Sequence, residues 1–433
     1  MRFSRGRTGR GRSATVPPRR QRRLLTVVAM STAGLVAVAA CGSGGSSTAS
    51  SPTGSTGANA ATGSPVVIGF INQTTGQQAA YPEMTVAAQA AIKYVNAELG
   101  GAGGHRVDMH VCNTDGTPTQ TQSCAQKLAA EKPLLVVAGS DFNWALATKI
   151  FNGANIPVFG QTPVQGPDYT AKDTYYLSNG SLGAGAAQAA YVIKNAPDAK
   201  KVGIIGPQIP ALQSIITLIT KALEAKGKSV KPVTFPPTTT DFLSAWSALG
   251  AKDLDYVIAE LPTPFCVPLI NASKSQNNTT PVITTALCNS ATTFSKVGDA
   301  MDGWAMNGTG PDPYGNTPDA VLYRAKMAQY AGKSANLGGY APFGFQVLMW
   351  VTQSIMKPVA SGLTADAVRA QALKPGGHVF LGPDSYQCAS NEKYTSVCSW
   401  DVYMTKVKGR AIDSTPGSAE YIDALETLKS TGV

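Results

Sequence analysis

Histidine is scarce in this chain of 433 residues: His105, His110 and His378 are the only three, no C-x-x-C occurs, and Asp, Glu, Lys and Arg together make up 14%. Three scattered imidazoles make a metal site the weaker reading of the cysteines discussed below. There is no G-x-S-x-G, no H-E-x-x-H and no phosphate loop, which removes the hydrolases, zinc proteases and nucleotide hydrolases that such motifs announce. Gly183-Ala184-Gly185 opens a helix with no strand immediately before it and no third glycine, so close helix packing explains it better than a dinucleotide. No motif sets a plausible general base near a nucleophile, so hydrolysis is disfavoured, and a cell-surface enzyme stays a remote alternative. The expectation is a protein that is not an enzyme and that carries no cofactor and no metal.

Acid is absent from the first 23 residues, which hold nine arginines, and the apolar stretch Leu24 to Ala40 follows. That is the n-region and h-region of an export signal. About 17 residues interrupted by Thr26, Ser31, Thr32 and Gly34 are at the short end of what spans a bilayer, which disfavours a permanent membrane helix. Val38-Ala39-Ala40-Cys41 resembles the lipobox of bacterial lipoproteins, which implies a lipid on Cys41 and attachment to the outer face of the cell membrane. The alternative is an ordinary secretory signal in which Cys41 is incidental, and Arg22-Arg23-Leu24-Leu25 leaves the export route, general or twin-arginine, open. Residues 41–64, rich in Gly, Ser and Thr, have no side chains with which to build a core and read as a flexible tether. All nine arginines precede Cys41, leaving 27 basic against 26 acidic residues beyond it, so a basic face for nucleic acid has no support.

From Pro65 onward the chain is too long for one core and suits two domains. Short apolar runs alternate with amphipathic ones, the mark of parallel βαβ units covered on both faces. Strands are expected at "VVIGF", "RVDMHVC", "LLVVAG" and "IPVFG", with helices between them, and a second series runs through "KVGIIG", "KPVTFP", "DYVIAE" and "PVITTAL". Helices follow at "AVLYRAKMAQYA" and "GYAPFGFQVLMWVTQSIM", and "HVFLG", "YQC" and "SWDVYMTKV" read as antiparallel strands. The six cysteines after Cys41 lie in close pairs, Cys112 with Cys124, Cys266 with Cys288 and Cys388 with Cys398, although six cysteines admit 15 connectivities. Cys266 and Cys288 both fall beyond the carboxyl ends of strands, on one edge of a βαβ sheet, where they can approach within disulfide range.

The order of helix, glycine turn, second strand and next helix in "YVNAELGGAGGHRVDMHVCNTDGTPTQTQSCAQKLAAE", with "VVIGFINQTTGQQAAYPEM" and "GYAPFGFQVLMWVTQSI", resembles the type I periplasmic binding proteins. The similarity is to the leucine/isoleucine/valine-binding branch that serves ABC importers and covers nearly everything from Val66 to Arg410. It implies an α/β fold of two Rossmann-like lobes, a Venus flytrap, joined by three crossings near Tyr175 to Gly180, near Trp304 to Thr309, and between Lys357 and Thr364. The lobes would be 65–177 with 308–362 and 178–307 with 363–433. It also implies a monomer that closes on a small polar solute, an amino acid or a related compound, and delivers it to an ABC permease. A sensor or adaptor of the same fold, read by a signalling partner, is the alternative.

In open α/β sheets, ligands sit beyond the carboxyl ends of the strands. The loops there supply the candidates: Gln73, Thr74 and Tyr81; Ser140, Asp141, Phe142, Asn143 and Trp144; Gln161 and Thr162; then Gln208, Glu260, Phe265 and Asn307. Amino-acid binders of this family hold the ammonium with an acid in the loop matching "LPTPF". That loop has none, although Glu260 lies just before it. Asp141 is the substitute acid from the other lobe, or else an ordinary helix cap. Trp144, Tyr81 and Phe265 each also admit a plain packing role.

Overall fold

A computed structural model of the protein describes residues 59–76, 80–415 and 417–431. The export signal, Cys41 and most of the tether lie outside these residues. Among the described residues, no helix is long and apolar enough to cross a membrane.

The first series is β1 (Gly63–Gln73), α1 (Pro82–Glu98), β2 (His105–Thr114), α2 (Pro118–Ala130), β3 (Val136–Ala138), α3 (Trp144–Gly153), β4 (Val158–Gly160) and β5 (Thr174–Tyr176). Its five strands are all parallel, in the order β2-β1-β3-β4-β5. Pairing begins at Gly63 with His105, so the strand starts inside the stretch expected to be tether. β5, the three residues Thr174-Tyr175-Tyr176, has no counterpart among the expected strands.

The second series is α4 (Gly180–Asn195), β6 (Lys201–Pro207), α5 (Pro210–Glu224), β7 (Ser229–Phe235), α6 (Phe242–Leu249), β8 (Tyr256–Ala259), α7 (Thr263–Ser275), β9 (Val282–Thr285), α8 (Ala291–Val297) and β10 (Ala305–Gly308). The chain then returns to the first lobe for α9 (Pro318–Tyr330), α10 (Ala341–Met349) and α11 (Ala365–Ala372). A π-helical stretch, Trp350–Met356, carries α10 onward with a changed register. The end of the chain adds β11 (Asp401–Lys408), β12 (Ala411–Ile412), β13 (Glu420–Asp423) and α12 (Leu425–Ser430) to the second lobe. There β7, β6, β8, β9 and β10 are parallel, and β11 joins β10 antiparallel.

Both sheets are buried on both faces, which is why their strands read as continuous apolar runs. Ile68 and Phe70 of β1 enter one core while Ile71 enters the other. In the second lobe Val202 and Ile204 of β6 face one core and Ile205 the opposite one. Helix starts follow local chemistry: Thr117 accepts the Gln120 N–H ahead of Pro118, and Asp241, Ser290 and Thr364 accept the N–H three residues on. The three disulfides join Cys112 to Cys124, Cys266 to Cys288 and Cys388 to Cys398.

Two expectations fail at the end of the chain. "HVFLG" and "YQC" are not strands; the isolated bridge there joins Tyr386 to Gly376, ahead of "HVFLG". A tight turn, in which Gly382 N–H donates to Val379 and Val379 N–H to Pro383, ends any pairing and drives Val379, Leu381 and Tyr386 into the first lobe's core. Val368, Ala372, Cys388 and Cys398 lie in that same core, so the chain does not leave the first lobe between Lys357 and Thr364. Tyr394 and Val397 already enter the second core, which Trp400 and Val402 share, and the chain joins the second sheet at Asp401.

Candidate functional site

Each sheet reverses its strand order once, at β1/β3 in the first lobe and at β6/β8 in the second. Such switch points open a crevice at the carboxyl ends of the strands. The loops from both switch points line one cleft of about 1280 Å3, counting its space open to solvent. From β1/β3 come Tyr81, Ser140 and Phe142; from β6/β8 come Ile209, Leu212, Glu260 and Leu261. Thr162, Thr285, Asn307 and the start of β11 at Asp401 complete the walls. A smaller cavity of about 540 Å3 shares Asn307, Thr309 and Phe343 with it. There the Asp312 carboxylate already accepts from the Asn289 amide and the Tyr314 N–H, and the larger cleft is the stronger candidate site.

The first crossing needs a glycine. Gly180 starts α4 at φ +59°, and a side chain there would collide with the Pro163 carbonyl on the first wall. This close approach brings Asn179, Gly180 and Ser181 into the lining beside Pro163.

Of the expected site residues, Tyr81, Ser140, Thr162, Glu260 and Asn307 line the cleft, with Phe142 beside them. The others are engaged elsewhere. Asp141 is buried and accepts from the hydroxyls of Thr114 and Thr121 and from the Asn143 N–H, so it braces β2 and α2 against the start of α3. Asn143 itself donates to the Gly116 carbonyl. Gln73 is buried against Gly116. Gln161 donates to Gln346 inside the first lobe, and Gln208 donates to Thr234 at the surface. Phe265 packs its ring against Phe235 and Phe242, and Trp144 fills the core with Phe151. Thr74 gives its N–H to the Thr114 carbonyl.

Three residues that sequence reasoning passed over shape the site. Tyr340 and Phe343, at the start of α10, stand in the first wall, with Tyr340 4.1 Å from Tyr81 and 5.1 Å from Phe343 between ring centroids. The Tyr81 and Tyr340 hydroxyls are hydrogen-bonded to each other, and Tyr340 also meets Ser140. Burial pushes both phenols well above their usual range, so both stay neutral. The third is Gln188 on α4, whose amide donates to Asn307 and reaches Glu260. The visible signal for Tyr340 was an aromatic at a helix N-terminus; for Gln188 it was one large amide in an Ala/Gly helix.

Glu260 is the unusual group. It follows β8 directly, is only 5% exposed, and its Oε1 has no hydrogen-bond partner. Burial pushes its carboxyl up to about 7, against the smaller pull of the Gln188 amide. Asp401, half-buried, is also raised, by desolvation first and then by Asp423 and Asp384. Among the described residues, no Lys, Arg or His lines the cleft. Among the described residues no cluster of His, Cys, Asp and Glu could hold a metal ion. The arrangement is suited to holding a small molecule between two walls, one aromatic and one aliphatic with an acid in it.

The family model for periplasmic binding proteins matches residues 65–387. No curated protein matches the chain in sequence. Among solved structures, a leucine-binding protein, LivK, from Thermotoga maritima is 16% identical, aligned over 83% of this chain and 99% of its own, with a TM-score of 0.64. The branched-chain amino acid transporter substrate-binding protein LivJ from Streptococcus pneumoniae, in complex with isoleucine, is also 16% identical, over 82% of this chain and 99% of its own, with a TM-score of 0.65. An ABC transporter solute-binding protein from R. palustris, in complex with 4-hydroxybenzoate, is 18% identical, over 83% of this chain and 97% of its own, with a TM-score of 0.67. At these identities the likeness is one of fold.

Proposed function

The chain belongs to the periplasmic binding protein family, in its type I two-lobed fold, and from that premise we propose that it is the extracytoplasmic substrate-binding component of an ABC importer. The observation that carries the reading is the cleft itself: the loops at both topological switch points converge on one space, and three short crossings allow the walls to approach. The solute is a small organic molecule held by hydroxyls, Glu260 and Asn307, with its apolar part against Tyr81, Tyr340 and Phe343. Closure excludes water from it, and the closed form is what the permease reads. Relatives in complex with isoleucine and with 4-hydroxybenzoate support this size of solute.

The mature chain is anchored by a lipid on Cys41, and the segment from there to Gly63 tethers the lobes to the membrane's outer face. Three disulfides agree with an exported protein. A thermal-shift screen of the full chain over amino acids, amides, ureas, amines and small aromatic acids tests the reading. A ligand that raises the melting temperature and whose effect is lost in Asn307→Ala supports it; turnover of that ligand, or no ligand at all, sinks it. For the anchor, Cys41→Ala is expected to move the protein from the membrane fraction to the medium.

A further inference from the structure

We infer that the cleft takes an organic monocation, a primary amine on a bulky apolar body with no carboxylate of its own. The inference rests on the solute-binding reading above and narrows it.

The first ground is the charge of the walls. Glu260 and Asp401 are acids, and none of the described lining residues is basic. A carboxylate on the solute would enter against two acids with no cation to receive it.

The second is Glu260 Oε1, buried and without a partner. Asp168 also keeps an unpartnered oxygen, but it does not line the cleft; Glu260 does, so a donor on the solute can satisfy it, and a charged donor gives the stronger bond.

The third is the state of the donors opposite. The Ser140 N–H is spent on Asn72, the Val164 and Gln165 N–H groups on Asp168, and the Leu182 N–H on the Tyr169 hydroxyl. Pro163 has none. These four N–H groups are committed within the protein and are not offered to an anion.

The fourth is the apolar surface. Ile209, Leu212 and Ile215 form one side, and the faces of Tyr81, Tyr340 and Phe343 the other. Aromatic faces attract ammonium groups and repel anions.

The sign of the pH dependence distinguishes the classes. The groups against Glu260 are neutral: Gln188 of α4, Asn307 of β10 and Gly206 of β6. Across the cleft Tyr81 and Tyr340 also stay neutral, and Asp401 is the other charged group of the lining. A cation therefore selects ionised Glu260, and its affinity rises about tenfold from pH 6 to pH 8, the change in ionised fraction across the titration near 7. An anion selects the protonated form and shows the opposite slope.

The experiment is calorimetric titration of the full chain, solubilised in detergent, with two matched trios: 3-methylbutylamine, leucine and 4-methylpentanoate, then phenethylamine, phenylalanine and 3-phenylpropanoate. We expect one of the amines to bind at least tenfold more tightly than its zwitterion and anion, with affinity rising toward pH 8. Glu260→Gln should lower amine affinity at least tenfold at pH 8 and abolish the slope. Tighter binding by a zwitterion or an anion overturns the inference while leaving the solute-binding role standing. Binding by none of the six overturns the inference, and if the broad screen is silent as well, the solute-binding role falls with it. Should Glu260→Gln not fold, the pH slope of the unaltered chain decides alone, a flat or falling slope overturning the inference.

Discussion

The two walls of the cleft treat their acids in opposite ways. On the first, Asp141 looks from its position like a ligand residue, yet both its oxygens are occupied by Thr114, Thr121 and the Asn143 N–H. On the second, Glu260 is as thoroughly buried but has an oxygen with no partner. A polar group satisfied inside its own lobe contributes to folding; one left open contributes to binding and detracts from the empty fold. Asp141 therefore serves the fold of the first lobe, while Glu260 keeps an oxygen open on the second wall.

The strongest way to break that comparison is to remove both acids in turn. Asp141→Ala strands the buried Thr114 hydroxyl and the Asn143 N–H and leaves Thr121 only the Thr117 carbonyl, and is expected to destabilise the protein by about 4 kcal/mol, measured by urea denaturation. If Asp141→Ala instead left stability intact and abolished solute binding, the assignment of Asp141 as structural would be wrong.

The disulfides sharpen the contrast next. Cys112–Cys124 ties β2 to α2, away from the cleft, whereas Cys266–Cys288 clamps the start of α7 to the turn after β9. The chain just before Cys266 and just before Cys288 lines the cleft, at Leu261-Pro262 and at Thr285-Ala286-Leu287. Replacing either pair by alanine should cost about 3 kcal/mol of stability. Only loss of Cys266–Cys288 should also weaken solute binding, about tenfold, because only there does the bridge pre-shape the wall. Equal effects of the two pairs on affinity would remove the distinction.

Glu260 itself supplies the third test. Its folded carboxyl titrates near 7, above its ordinary value of 4.5 when unfolded, so the folded state holds a proton the unfolded state has lost. Stability is full below about 4.5 and drains away as pH rises through 7; between pH 5 and 8 the loss is about 2.5 kcal/mol in the empty protein. Glu260→Gln should flatten that part of the pH profile and melt higher than the unaltered protein at pH 8. A steeper decline in the variant would show that Glu260 is not buried uncompensated.

Much of this architecture was legible beforehand because a strand buried on both faces writes an unbroken apolar run, as "KVGIIG" and "DYVIAE" do. The site was harder to read for a specific reason. Asp141, Asn143 and Gln161 sit in the right loops, and nothing local says that Thr114, Thr121, Gly116 and Gln346 will consume their hydrogen bonds. Those partners lie up to 185 residues away. Tyr340 escaped notice for the converse reason. Its helix was visible in "GYAPFGFQVLMW", but that the helix starts beside Tyr81 depends on the chain's return to the first lobe after β10. The third crossing lies beyond the Lys357 to Thr364 stretch that the resemblance implies, because the aliphatic side chains of α11 and the turn at Val379 still belong to the first core, and nothing local announces that.

The smallest expected effect tests how the aromatic wall is made. In Tyr340→Phe the ring survives, with its contacts to Tyr81 and Phe343, and only the hydroxyl is lost. Tyr81 then loses a hydrogen-bond partner in a buried place, and Ser140 loses its contact with the phenol. The cost in stability should be about 1 kcal/mol, the net value of one buried neutral hydrogen bond. Solute affinity should change less than fivefold if the wall acts through its ring faces, because the face presented to the solute is the same. Tyr340→Ala removes the face and should lower affinity by more than tenfold. The pair of titrations thus separates a wall that works by surface from one that works by donating a hydrogen bond: a Phe variant as weak as the Ala variant would place the phenolic hydroxyl, rather than the ring, against the solute.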